Sequence, residues 1–196
     1  TDPVLSDNLV PVTIENDGTV HKASIYEKWY DYTNKEWANA VVLLDKSIDY
    51  TDNEVISEEN IESYFVWIPR YKYKIFNDTV YTGVTTLENR VQEIEVEFEN
   101  KDKAISNGTT TGSWLTHPAF TAFNSNGFWV GKYESGYKGA TSTETAQVNT
   151  NDSTKLQIKP SVYSWRSITV GNAFKVGYDY LRSDESHMMK NTEWGA

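Results

Sequence analysis

Cysteine is absent from this chain of 196 residues, which excludes disulfides, thiolate catalysis and cysteine-ligated metal. A chain of this length closes a hydrophobic core without such staples. Basic residues are in deficit, 18 against 28 acidic, for a net charge of -10. That field repels a phosphate backbone, so nucleic acid is not an expected partner. No stretch approaches the roughly 18 apolar residues that span a bilayer, and the opening TDPVLSDN has neither the basic nor the apolar region of a signal peptide. No membrane span is expected in the chain, and any export or anchoring segment is expected to have been removed. Histidine is rare: His21, His117 and His187 stand alone, with no HxxxH, HxH or HExxH spacing to set two ligands on one face. Gly-x-Ser-x-Gly and glycine-rich phosphate loops are also missing. No metal, no cofactor and no enzymatic activity are expected.

What is present is aromatic and β-prone. Tyr and Trp number 13 and 7, leucine is sparse, and Thr, Asn, Ser and Val abound, the usage of half-buried strands joined by polar turns. Residues 9–24, LVPVTIENDGTVHKAS, hold two β-branched runs around Asn16-Asp17-Gly18, and Asp-Gly predicts a hairpin whose two turn residues take φ > 0. In residues 28–44 the aromatic Trp29, Tyr30, Tyr32 and Trp37 flank the polar turn Thr33-Asn34-Lys35-Glu36, predicting a second strand pair. Residues 45–63 set seven acids against Lys46, a solvated loop with a short helix starting near Ser57.

The run YFVWIPRYKYKIF, residues 64–76, starts too apolar for a one-sided strand and then alternates aromatic with Lys. It is expected to enter the core and emerge at an edge, with Pro69 at a bulge or edge position. In residues 91–100 the apolar Ile94, Val96 and Phe98 alternate with Glu93, Glu95, Glu97 and Glu99, predicting a strand with its acidic face in water. Residues 100–127 read as a long polar insertion and residues 138–155 as an exposed loop. After Ser164 the period changes, and Phe174, Tyr178 and Leu181 mark one face of a helix, with a second helical start at Ser183-Asp184-Glu185. Asn-x-Ser/Thr matches at Asn77, Asn107 and Asn151 carry little weight in a chain so rich in these residues.

Three segments stand in order: Gly127-Phe128-Trp129-Val130-Gly131-Lys132-Tyr133-Glu134, Pro160-Ser161-Val162-Tyr163-Ser164-Trp165 and Asn191-Thr192-Glu193-Trp194-Gly195-Ala196. Over residues 127–196 they resemble the formylglycine-generating-enzyme/sulfatase-modifying family, a branch of the C-type-lectin-like folds. That family's oxidase chemistry relies on active-site cysteines, which this chain lacks, so the resemblance implies the fold without formylglycine generation. The segments LVPVTI, WYDYTNKEWANAVVL and YFVWIPRYKYKI, with WVGKYE and HMMKNTEWGA, resemble prophage tail-type and prepilin-like surface proteins of Gram-positive bacteria over most of the chain. Such families continue beyond the point where this chain stops, so the core is expected to be incomplete at its C-terminus.

The fold expected is α+β and β-rich: an N-terminal β meander and acidic loop over 1–60, then a C-type-lectin-like, formylglycine-generating-enzyme-like domain over 61–196. Trp67, Trp129, Trp165 and Trp194 are expected to seal its core. The function expected is non-catalytic display or adhesion on a phage particle, a cell surface or another extracellular appendage. A host surface glycan or protein would meet the loops 100–127 and 136–158, with Trp114, His117, Phe120, Phe123 and Tyr137 as contact residues. One alternative is a pilin-like or tail-type subunit that assembles with like subunits, its aromatic N-terminal meander pairing with a neighbour by edge-strand addition. Another is a carboxylate-based hydrolase using Glu134 and Glu193.

Overall fold

The computed structural model describes residues 1–75, 94–109 and 112–196; Phe76, Asn77 and Glu93 lie outside them. Its strands are β1 (Val10–Ile14), β2 (Val20–Lys22), β3 (Asn39–Leu43), β4 (Ile61–Pro69), β5 (Tyr71–Ile75), β6 (Ile94–Phe98), β7 (Leu115–Thr116), β8 (Gly127–Gly131), β9 (Gly136–Tyr137) and β10 (Leu156–Gln157). Its α-helices are α1 (Pro118–Thr121), α2 (Val170–Tyr180) and α3 (Asn191–Trp194). The fold is α+β and β-rich, with three sheets. Two compact units are interleaved in sequence: a larger one from residues 4–67 and 129–189, and a smaller one from 1–3, 68–128 and 190–196. The division expected near residue 60 therefore falls inside the larger unit, where β3 pairs with β4 across it.

The larger unit is organised on a sheet of order β2-β1-β3-β4-β8. Strands β1 and β2 form the expected hairpin, in register Val12↔Lys22 and Ile14↔Val20. Its turn is looser than a two-residue turn. Glu15 accepts from the Gly18 amide at 3.0 Å, and of the three central residues Gly18 alone takes positive φ, at 92°, as in a hairpin that closes on a left-handed glycine. On one face Val12, Val20, Val41, Leu43, Ile56, Ile61 and Tyr64 form the main cluster, each apolar side chain contributing about 1.5–3 kcal/mol of burial. A second cluster joins Tyr30, Ala38 and Trp67, with Trp29, Tyr32 and Trp129 packed on it. The Thr33–Glu36 turn forms as expected, with Asp31 capping the Thr33 and Asn34 amides. It closes only an isolated Asp31–Glu36 bridge, so the residues before it are not a strand.

The polar tract after β8 is folded back at both ends. β9 pairs with β10, and the Trp165 amide donates to Ser135 on the other side of β9. Helix α2 turns Ala173, Val176, Gly177 and Tyr180 inward; Val176 is buried against Leu156 and Ile158. The face expected to be inward is the outer one: Phe174 and Tyr178 stack on each other in solvent, while Leu181 does pack on the sheet cluster of Leu9, Ala40 and Val42. Small residues on the true inner face let the chain approach closely. A Cβ on Gly177 would lie 2.9 Å from the Met188 amide nitrogen. The second helical start is a 3₁₀ turn, Arg182–Asp184, ended by Glu185 in the left-handed region.

In the smaller unit β5 is central, with β6 and β7 on either side. The 64–76 run is thus two strands, β4 and β5, separated at Arg70. Strand β6 has the expected alternation, and Glu97 is exposed as expected, but Ile94, Val96 and Phe98 on the opposite face are exposed as well. Glu95 and Glu97 pair with Lys74 and Lys72 across the ladder, and those ammonium groups lie over the Trp114 ring. Period-two alternation separates two faces without saying which one meets water. Residues 100–127 are also not one polar display loop, because β7 and α1 fall within them and Thr116, His117, Ala119 and Phe120 are buried.

Candidate functional site

In the larger unit β4 positions side chains along the edge that faces away from β3. The Lys132 amide donates to Tyr64 O at 2.9 Å, which brings Tyr133 beside Tyr64 as an edge-to-face pair, 5.5 Å between centroids and 86° between planes. Farther along the same edge Ile158 exchanges backbone hydrogen bonds with β4: the Tyr64 amide donates to Ile158 O at 2.8 Å, and the Ile158 amide to Glu62 O at 3.3 Å. Lys159 therefore leaves the sheet next to Tyr64. Pro160 then fixes φ, and Ser161 takes a left-handed φ of 58°, the pattern of a type II turn, which returns Val162 to the same wall. These residues, with Ile14 and Gly18 of the hairpin and Glu58 of the 3₁₀ turn Glu58–Asn60, line an open cleft of about 460 Å³. That 3₁₀ turn is the short helix expected after Ser57.

The polar groups of the cleft are already tied together. Lys159 Nζ donates to Glu58 O at 2.8 Å and to Ile61 O at 3.0 Å, and it pairs with Glu58 Oε1 at 3.0 Å. An ammonium group has three donors, so none is left over. The other oxygen, Glu58 Oε2, accepts from the Tyr64 hydroxyl. Burial, and then the Glu58 carboxylate, push the Tyr64 phenol well above its ordinary value. Glu58 thus engages both Lys159 and the Tyr64 hydroxyl. The Glu58 side chain stays about half exposed, and Tyr133 is 36% exposed.

Of the residues expected to contact a ligand, four lie in the smaller unit and Tyr137 in the larger. In the smaller unit Trp114 sits under Lys72 and Lys74. His117 is buried and caps α1, its Nδ1 accepting from the Ala119 amide at 3.3 Å, and Phe120 is fully buried among Tyr71, His117 and Phe128. Phe123 is exposed, with Lys190 Nζ 3.7 Å from its centroid. Tyr137 belongs to the larger unit, edge-on to Trp165. Of the four tryptophans expected to seal the core, Trp67 is buried. Trp129 and Trp165 pack at its margin, their Nε1 groups donating to Val4 O and Val148 O. Trp194 is 79% exposed and seals nothing.

Glu134 accepts from the Ser164 hydroxyl at 2.7 Å in the larger unit. Glu193, in the smaller unit, accepts from the Lys190 amide at 2.8 Å. The two carboxylates therefore serve separate local structures. No group of His, Asp and Glu able to hold a metal ion occurs among the described residues, and none of their helices is long and apolar enough to cross a membrane.

Glu58, Tyr64, Tyr133 and Lys159 are the residues that sequence reasoning passed over. Tyr133 and Pro160–Val162 fall inside the GFWVGKYE and PSVYSW segments, whose spacing was the one available signal, and that signal reads as scaffold rather than site. No protein-family model, no curated protein and no solved structure matches the chain.

Proposed function

We propose that the chain is a non-catalytic display and adhesion protein of an extracellular surface, carried on a phage particle or a bacterial surface appendage. Its core is C-type-lectin-like, of the formylglycine-generating-enzyme type. The observation that carries the binding function is the Tyr64–Tyr133 cleft, a pre-formed aromatic wall beside the half-exposed Glu58 side chain. The order of the GFWVGKYE, PSVYSW and NTEWGA segments supports the fold. Binding of the fluorescently labelled chain to a panel of Gram-positive cells tests the function: saturable binding that unlabelled chain displaces is expected. Absence of binding across the panel would remove the adhesive role.

A second reading, a subunit acting mainly in assembly, is favoured by β6. Among the described residues this strand borders its three-stranded sheet and exposes Ile94 and Val96, the kind of edge that accepts another strand. Concentration-dependent oligomers that Val96→Lys abolishes would favour assembly over adhesion.

A further inference from the structure

We infer that the Tyr64–Tyr133 cleft takes an uncharged pyranose ring, the sugar lying on the open side of Tyr133 and donating hydroxyl hydrogens to Glu58. The inference rests on the binding function proposed above and specifies its ligand class. The cleft volume, about 460 Å³, falls within the range typical of small-molecule sites, roughly 300–1,000 Å³.

Its walls combine the two features a sugar ring presents, an apolar face of C–H groups and a rim of hydroxyls. Ile14, Tyr133, Pro160 and Val162 supply apolar surface. The Tyr133 ring is already held at a fixed angle by Tyr64 and by the Lys132 backbone hydrogen bond, so little side-chain entropy is lost when a ligand stacks on it. A carboxylate has about four acceptor positions. Lys159 and the Tyr64 hydroxyl occupy one on each oxygen of Glu58, leaving the others to accept from hydroxyls.

Charge decides between sugar classes. Lys159, the one cation lining the cleft among the described residues, directs all three donors to Glu58 and Ile61. An acidic sugar would thus meet the Glu58 carboxylate with no counter-cation, on a chain whose net charge is already -10. Neutral hexoses and N-acetylhexosamines carry no such penalty, and like-charge juxtaposition excludes uronic and sialic acids.

The test is an NMR titration of the full ¹⁵N-labelled chain with methyl glucoside, methyl galactoside and N-acetylglucosamine, and in parallel with glucuronic and N-acetylneuraminic acids. At least one neutral sugar is expected to shift the amides of Gly18, Tyr64, Tyr133 and Val162. The acids should bind at least about tenfold more weakly, and Tyr133→Ala should weaken the neutral sugar by about tenfold or more. Because Tyr133 is partly exposed, that variant is expected to stay folded, which an unchanged amide spectrum away from the cleft verifies. Equal or tighter binding of an acid, shifts confined to other residues, or no response to any neutral sugar would overturn the inference. Cell binding by wild-type and Tyr133→Ala chains separates the two proposals. Binding that persists in the variant leaves the adhesive function standing and sinks the sugar site, whereas cells that never bind the wild-type chain remove the function itself.

Discussion

Arg70 is wholly buried in the smaller unit, and its Nε donates to Glu99 Oε1 at 3.2 Å, an oxygen that also accepts from the Thr116 hydroxyl at 2.9 Å. Both terminal guanidinium nitrogens are buried with no hydrogen-bond partner. A half-satisfied buried ion is held in place by its single counter-charge, and removing that partner strands the charge at a cost of about 3–5 kcal/mol. Glu99→Ala is therefore expected to lose stability of that order in urea titration at unchanged m. The double variant Arg70→Met/Glu99→Leu should recover most of it, because an apolar pair of similar volume is often neutral or stabilising. His117, a few residues along, adds pH dependence. Burial lowers its proton affinity below the ordinary value, and the Gly195 backbone only partly opposes this. Since its folded pKa is depressed, the unfolded chain binds the proton first as pH falls through about 6.5. The stabilisation is present above that pH and is lost below it, down to the folded pKa. His117→Gln should flatten the stability profile between roughly pH 7 and 5.5, measured by chemical denaturation.

Helix α2 shows how an element can be legible while its orientation is not. The helix is present where the periodicity of Phe174, Tyr178 and Leu181 predicts one, yet two of those three side chains face solvent. The inner face is written in small residues, Ala173 and Gly177, together with Val176 and with Tyr180. The Tyr180 hydroxyl hydrogen-bonds Ser63 Oγ at 2.6 Å. Apolar periodicity weights large side chains and is blind to a face that packs because it is narrow. The β1–β2 hairpin is legible for the opposite reason, since a left-handed glycine is a local requirement that no tertiary contact can supply. Strand β6 falls between: its alternation is local, but the pairing of Glu95 and Glu97 with Lys74 and Lys72 depends on residues that lie far from it in sequence. The cleft was the least legible feature, because its lining comes from four separate stretches, each of which looks like scaffold. For α2 the consequence is measurable. Phe174→Ser should change stability by no more than about 0.5 kcal/mol, whereas Val176→Ala should cost roughly 1.5 kcal/mol for two buried methyl groups. Gly177→Ala should also destabilise, although alanine is favoured over glycine by about 1 kcal/mol inside a helix. Its Cβ would stand 2.9 Å from the backbone of Met188, where a backbone atom cannot yield as a side-chain tip does.

At the scale of the whole molecule, residues 68–128 belong to the smaller unit and interrupt the larger one between β4 and β8. Those two strands are neighbours in one sheet. Trp67 meets Trp129 at 5.3 Å, and three residues back along β4 Tyr64 meets Tyr133. As one strand retreats the other advances, so they run antiparallel, and antiparallel neighbours can be joined by a turn of two residues. Among the described residues the larger unit holds the four buried apolar clusters around Val41, Val42, Trp67 and Val176, while Phe120 and Arg70 lie in the smaller one. Replacing residues 68–128 with Asn-Gly and ending the chain at Met189 should therefore leave a protein that folds cooperatively. It should retain near-UV circular dichroism from Trp29, Trp67 and Trp129 and a dispersed amide spectrum. Because every residue lining the Tyr64–Tyr133 cleft lies in the retained part, its ligand affinity should stay within about threefold of that of the full chain. A product that keeps far-UV signal but loses near-UV signal and binds a hydrophobic dye would be a molten globule, and would mean that the larger unit needs the interrupting segment to fix its packing.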